Sequence, residues 1–179
     1  MITRKILDEN IIAITSGKTK LSEIEDTIKK IKEISESHNV TSQVFDAECI
    51  AGKKHIIHST RLALKAIESG NNFAESPDIE LACWISGTRQ INKALKNVGI
   101  REDTEKITLI TIGISENEVK AANREISNEL EVSEDESVLE ITPEKVETLK
   151  KLFSLKEKEI KVASLEDLIL ERIALLSLE

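Results

Sequence analysis

The sequence predicts an α+β fold: a short central β-sheet surrounded by about seven helices, as one domain over residues 1–179. Three observations lead there. β-Branched runs occur at Asn10–Thr15 and Lys106–Ile114, and such runs favour strands. Much more of the chain places apolar residues three and four apart, the spacing of a helix with one buried side. The two patterns are interspersed, with no internal repeat, low-complexity tract or long linker.

Asn10–Thr15 reads as a strand closed by Gly17, and a helix follows from about Lys20 to Ser37. Its stripe is Leu21, Ile24, Ile28, Ile31 and Ile34, and Ser22 with Glu25 has capping-box spacing. Thr41–Ile50 reads as a second strand ended by Gly52. The helix at 53–68 buries Ile56, Ile57, Ala63, Leu64 and Ile67, gathers Lys54, His58, Arg61 and Lys65 on another face, and stops at Gly70. Ser76 and Pro77 open a short helix, apolar nearly all round from Ile79 to Ile85, which Gly87 ends. Thr88 is the expected cap of the next helix, with Ile91, Ala94, Leu95 and Val98 inward and Gly99 at its close.

Lys106–Ile114 is apolar on both of its alternating sides, as a central strand should be. Ser115 caps a helix to about Leu130, with Val119, Ala122 and Ile126 inward. Residues 133–136 read as a solvated acidic turn, 138–141 as a short strand, and Thr142-Pro143 as the start of a helix to Phe153. Leu155–Val162 is charged and without clear period. Ser164 and Asp167 open a last helix over 165–178, with more apolar positions than one buried face needs.

Composition narrows the functional classes. The chain carries a net charge of −8, two cysteines and neither an apolar leader nor a membrane-length apolar run. A cytoplasmic protein with buried free thiols is therefore expected. Against that acidity, the stretch Asp46 to Ile100 carries a basic island that runs from Lys53 to Arg101 at its edge, with eight Lys or Arg against Glu68, Glu75, Asp78 and Glu80, a local balance of +4. Lys54, Arg61, Lys65, Arg89, Lys93 and Lys96 form the outer faces of two helices there. Such a patch attracts phosphates, and the acidic remainder favours a short or single-stranded nucleic acid over a long duplex. Aromatics are scarce, so bases would stack on an Arg plane or on aliphatic surface while Gln90 or Asn92 reads their edges.

Two enzymatic patterns compete with this. Thr15-Ser16-Gly17-Lys18-Thr19 has the strand–Gly-Lys-Thr–helix order of a P-loop, yet Ile12 stands where that motif needs its first glycine. A small nucleotide-binding enzyme built on Gly17-Lys18-Thr19 is the alternative reading, and a stand-alone RNA-binding module is a third. His55, His58, Cys49 and Cys83 do not have the spacing of a zinc site. No metal, cofactor or catalytic set is expected.

Gly52-Lys53-Lys54-His55 with the Ala-containing helix after it, Glu80-Leu81-Ala82-Cys83-Trp84, Ser86-Gly87-Thr88-Arg89-Gln90-Ile91 and the terminal Glu171-Arg172-Ile173-Ala174-Leu175-Leu176 together resemble a known family. It is the small kinase-regulatory subunit of the KEOPS (EKC) complex, which includes the animal PRPK-binding protein. The resemblance implies a mixed α/β fold without catalytic activity of its own. It implies binding to the N-terminal lobe of a small atypical kinase/ATPase, stimulation of that kinase, and indirect association with the remaining KEOPS subunits. It further implies holding tRNA by its single-stranded 3′ CCA end while threonylcarbamoyl-adenosine is installed next to the anticodon.

The resemblance assigns no residue roles; from the charge island around the motif, Arg89 and Gln90 are expected to contact the tRNA end, with Lys54, His55, Arg61, Lys65 and Lys93 supplying phosphate contacts. A purely structural role competes for the motif, with Gly87 as helix stop, Thr88 as cap and Ile91 as core. The kinase is expected on the last helix, along the stripe Ile169, Ile173 and Leu176.

Overall fold

The computed structural model describes residues 1–7 and 9–178. Five strands form one antiparallel sheet: β1 (Ile2–Leu7), β2 (Asn10–Lys18), β3 (Thr41–Asp46), β4 (Lys106–Gly113) and β5 (Ser133–Glu134). Eight α-helices accompany them among the described residues: α1 (Ile24–Ser37), α2 (Gly52–Ser69), α3 (Pro77–Ser86), α4 (Ile91–Val98), α5 (Glu116–Glu129), α6 (Pro143–Leu152), α7 (Glu157–Ile160) and α8 (Leu165–Leu175). The expected α+β class holds. Among the described residues, no helix is long and apolar enough to cross a membrane.

The chain divides into two compact units, each drawn from two separate stretches. A sheet unit comprises Met1–Ala47 and Ile100–Val138, and a helical unit comprises Glu48–Gly99 and Leu139–Glu179. In the sheet unit the strand order is β1-β2-β4-β3, with β5 also on β2. β4 pairs along its whole length with β2 and from Ile107 to Ile112 with β3, and Ile107, Leu109 and Ile110 on its two faces are all buried, as a central strand requires. α1 and α5 cover one face. Leu21, Ile31, Val44, Ile107, Leu109, Ile126 and Leu130 form the core between them and the sheet. Asn123 of α5 is buried within this layer, where its amide nitrogen donates to the Thr111 hydroxyl at 3.1 Å and its carbonyl accepts from Thr15 at 2.5 Å.

Several local expectations are corrected. β1 has no counterpart in the sequence reading, because Arg4 and Lys5 interrupt its apolar pattern. Their exposure, with an irregularity between Lys5 and Leu7, suits an edge strand. Gly17 does not close β2 but lies inside it, paired with Ile107 on one side and Glu134 on the other. A Cβ there would lie 2.2 Å from the Ser133 carbonyl oxygen, so glycine is needed for the close approach of β5. Residues 133–134 are therefore a strand on the edge of β2 that β1 leaves free, exposed as expected but not a turn. Residues 138–141 do not form a strand. Glu136–Leu139 is a 3-10 turn that buries Val138 and Leu139.

α1 starts at Ile24 and its Ser22–Glu25 capping box does not form. The residues before it are held elsewhere: Thr19 donates its N–H to Glu105 and its hydroxyl to the Leu130 carbonyl, and Leu21 enters the core. The helix is turned so that Thr27, Ile31 and Ser35 face inward while Ile28 is 54% exposed. The buried Ser35 satisfies its own hydroxyl on the Ile31 carbonyl at 2.6 Å.

Other caps follow the local rules. Ser115, Thr142 and Ser164 accept the N–H of Glu118, Lys145 and Asp167. Gly70 and Gly87 end α2 and α3 in the left-handed conformation. α4, however, is capped at Gln90 and not at Thr88, whose hydroxyl accepts the Gln90 N–H at 3.3 Å. The last helix ends at Leu175 and tightens into a 3-10 turn over Leu176–Leu178.

Candidate functional site

The helical unit is organised around α3, which packs against α2, α4 and α8. α3 is buried from Glu80 to Ser86. A carboxylate in that position needs donors, and Glu80 has three. One oxygen accepts the N–H of Phe73 at 2.7 Å and of Ala74 at 2.9 Å. The other accepts the Trp84 indole N–H at 2.7 Å. The Trp84 ring stacks on Phe73, with centroids 5.1 Å apart and planes at 27°. Arg89 lies over the Phe73 ring, its Cζ 4.8 Å from the centroid. Its Nη2 donates to the Leu176 carbonyl at 2.8 Å. A column of contacts therefore links Glu80, Trp84, Phe73 and Arg89 in that order, and Arg89 in turn is bound to the C-terminal turn. The sequence marks Glu80 only as part of the Glu80–Trp84 motif and gives Phe73 no role. The available signal was the four-residue spacing of Glu80 and the lone Trp84 on one helix.

His55 occupies the interior of the same unit. It is completely buried, Nδ1 accepts the Ala51 N–H at 3.0 Å, and Nε2–H donates to the Ile85 carbonyl at 3.0 Å. It thus satisfies the N–H of the residue that precedes α2 and ties α2 to α3. The Phe153 ring meets its edge at 5.6 Å, and the same ring would lie 3.0 Å from a Cβ on Gly87. Burial drives the imidazole pKa down to about 4, opposed by the Ile85 bond and helped by Lys145 and His58. The phosphate contact expected of His55 is corrected: both ring nitrogens are engaged inside the protein. The cysteines are similarly occupied. Cys49 donates to the Asn97 carbonyl, and burial first, then Glu80, push the Cys83 thiol up to about 11. Among the described residues no group of three or more His, Cys, Asp or Glu is placed to hold a metal ion.

The basic residues fall into two groups. Lys54 is exposed but its Nζ lies 3.0 Å from Glu166 in the first turn of α8, and that contact raises its pKa. Arg61 and Lys65 on α2, and Lys93 on α4, are exposed and form no ion pair among the described residues. Gln90 is exposed as well, with its backbone N–H on Thr88. Net charge divides sharply by unit. The sheet unit holds 19 Asp or Glu against 11 Lys or Arg and so carries the whole −8, while the helical unit holds 14 of each. The charge contrast first read along the sequence is thus a contrast between folded units.

The stripe assigned to a partner on the last helix is also corrected. Ile169 and Ile173 are completely buried and Leu176 is 5% exposed, because α8 packs against α2 and α3. A charge at Ile173 would enter a core, not an interface. The exposed apolar residues of this segment are Leu175 and Leu178, the latter 81% exposed.

The Gly17-Lys18-Thr19 alternative loses its geometry. Gly17 and Lys18 are strand residues paired on both sides, and Lys18 sits 3.3 Å from Asp135. No loop remains for cradling a phosphate.

Similar proteins point in one direction. A protein named Regulatory protein Cgi121, from Methanocaldococcus jannaschii, is 28% identical over 137 residues, covering 76% of this chain and 83% of that protein. A protein of Pyrococcus abyssi named KEOPS complex subunit Cgi121 is 33% identical over 106 residues, 55% of this chain and 58% of that protein. The family model described as kinase binding protein CGI-121 matches residues 9–177, which takes in both units from β2 to the C-terminal turn. The chain belongs to the CGI-121 kinase-binding protein family.

Proposed function

We propose that this chain is the regulatory subunit of a KEOPS-type assembly. It docks on the small atypical kinase/ATPase of that assembly and helps recruit tRNA by its single-stranded 3′ CCA end for threonylcarbamoyl-adenosine modification next to the anticodon. Membership of a kinase-binding family supports the first part, and the name of the Pyrococcus abyssi relative supports the assembly. The observation that carries the nucleic-acid part is the segregation of charge. Exposed Arg61, Lys65 and Lys93, without intramolecular ion pairs among the described residues, lie on the electrically neutral unit, whereas the sheet unit repels a polyanion. Arg89 and Gln90 stand at the junction of α3 and α4, where an Arg plane and an amide can meet an unstacked base. Lys54, already held by Glu166, contributes less.

Reversing Lys65 and Lys93 to Glu should weaken binding of an oligonucleotide ending in CCA by more than about tenfold at physiological salt. It should also flatten the salt dependence by about 1.4 in log–log slope, two single-strand phosphate contacts. Unchanged affinity and slope would sink the assignment.

The kinase, in this reading, covers the exposed apolar side chains of the C-terminal turn. Leu178→Asp should abolish complex formation with the purified kinase in size-exclusion chromatography and leave the melting temperature unchanged. A complex that survives the substitution places the kinase elsewhere.

A further inference from the structure

Arg89 is exposed, and an exposed arginine ordinarily samples many rotamers and must be ordered by whatever it binds. Here the ordering is already done. The guanidinium lies over the Phe73 ring, and the Leu176 carbonyl takes Nη2 at 2.8 Å. Phe73 itself is fixed, because its ring is stacked on Trp84 and its N–H is held by Glu80, which also holds the Trp84 indole. Leu176 is 87 residues distant in sequence from Arg89, buried, and followed by the exposed Leu178. One N–H of the guanidinium is used by the turn, which leaves the outer face and further donors of a five-donor group.

We propose that the C-terminal turn Leu176–Leu178 is a positioning element for ligand contact at Arg89. The Leu176 carbonyl and the Phe73 ring hold the guanidinium plane so that its outer face continues the Trp84–Phe73–Arg89 column as a stacking surface for an unpaired nucleobase. This rests on the nucleic-acid reading above. It adds that nucleic-acid affinity depends on a turn that need not itself touch the nucleic acid. Whatever moves the turn, including a partner seated on Leu178, changes affinity at Arg89, and the nucleic acid changes the partner's affinity by the same factor.

The turn can be disturbed without deleting its buried side chain. Leu176 has helical backbone angles, φ −57 and ψ −29, and a following proline disfavours that conformation. Ser177→Pro should therefore swing the Leu176 carbonyl away from Arg89. We expect it to weaken binding of a single-stranded CCA-ended oligonucleotide about five- to tenfold, within the range for losing one stacked base. In an Arg89→Ala background the same change should have no further effect. Arg89→Lys keeps the charge without the plane, should bind as weakly as Arg89→Ala, and should be equally indifferent to Ser177→Pro. Acrylamide quenching of Trp84, the sole tryptophan, should increase in Ser177→Pro while the thermal melt stays cooperative.

Additive losses from Ser177→Pro and Arg89→Ala, or wild-type affinity in Arg89→Lys, would overturn the positioning role. If the wild type binds and Lys65→Glu with Lys93→Glu weakens it, a neutral Ser177→Pro sinks this inference alone. No binding by the wild-type chain overturns the nucleic-acid reading and this inference with it.

Discussion

Glu80→Ala should cost about 3–5 kcal/mol of folding stability, among the largest effects of any single substitution in the helical unit. The side chain is completely buried, yet the loss would come from its hydrogen bonds more than from its volume. Its two oxygens satisfy the N–H groups of Phe73, Ala74 and Trp84, and the partners of a deleted acceptor stay buried and unsatisfied. Ala74 and the Trp84 ring are themselves buried, so water cannot readily replace the carboxylate. Glu80→Gln separates shape from acceptor capacity. It fills the same space but turns one oxygen into a donor facing donors, and should lose about 2–3 kcal/mol. Urea unfolding followed by Trp84 emission measures both. A Gln variant as stable as wild type would show that packing, and not the two-sided acceptor, holds the 71–76 loop.

The second large effect is a pH dependence centred on His55. Its folded-state pKa is lowered to about 4 from the ordinary 6.5. Between those values the unfolded chain binds a proton that the folded protein refuses. Stability must therefore fall as pH drops from about 6.5 to 4 and level off below, by about 3 kcal/mol from this group. His58, lowered by burial and then by Arg61, works in the same direction. His38 works against them. Its ring sits 2.7 Å from Glu118 and 2.9 Å from Glu125, and those bonds raise its pKa. Its contribution is thus full below about 6.5 and is lost as pH rises through its folded value. Comparing the wild type with His55→Gln cancels the carboxylates and both other histidines. The gap between their denaturation free energies should narrow as pH falls from 6.5 to 4. Parallel curves would mean that His55 is not held neutral.

What could be read from sequence was whatever local chemistry decides. Ser115, Thr142 and Ser164 are helix caps because a short hydroxyl reaches the N–H groups that open any helix. Gly87 ends α3 because glycine accepts a left-handed backbone without strain. β4 was visible because both of its faces are apolar.

The misses share another cause: partners distant in the chain override local pattern. β5 is two acidic-turn residues until β2 offers an edge. Ser22 loses its capping role because Thr19 and Leu21 are claimed by Leu130 and the core. The inward side of α1 includes Thr27 and Ser35, which an apolar count cannot see. At the site, the charge of Lys65, Arg61 and Lys93 was legible, since solvated cations need no partner. His55 was not, because its neighbours on the basic face gave no hint of Ala51 and Ile85. Ile173 was apolar for the ordinary reason, and only the packing of α8 separates it from Leu178.

The interleaved origin of the two units has a consequence for biogenesis. β2 and β3 are made before β4, the strand that joins them, which begins at Lys106 after the whole 48–99 segment. At a translation rate of about 5–20 residues per second, β3 waits roughly 3–12 seconds on the ribosome for its pairing partner. Only the β1–β2 hairpin can close at once. The helical unit waits longer, since α8 and the Leu176 carbonyl that receives Arg89 follow all the other helices of that unit in the chain. Nascent chains are thus exposed to edge-to-edge pairing during elongation, and neither half can be cut out as a continuous fragment and be expected to fold.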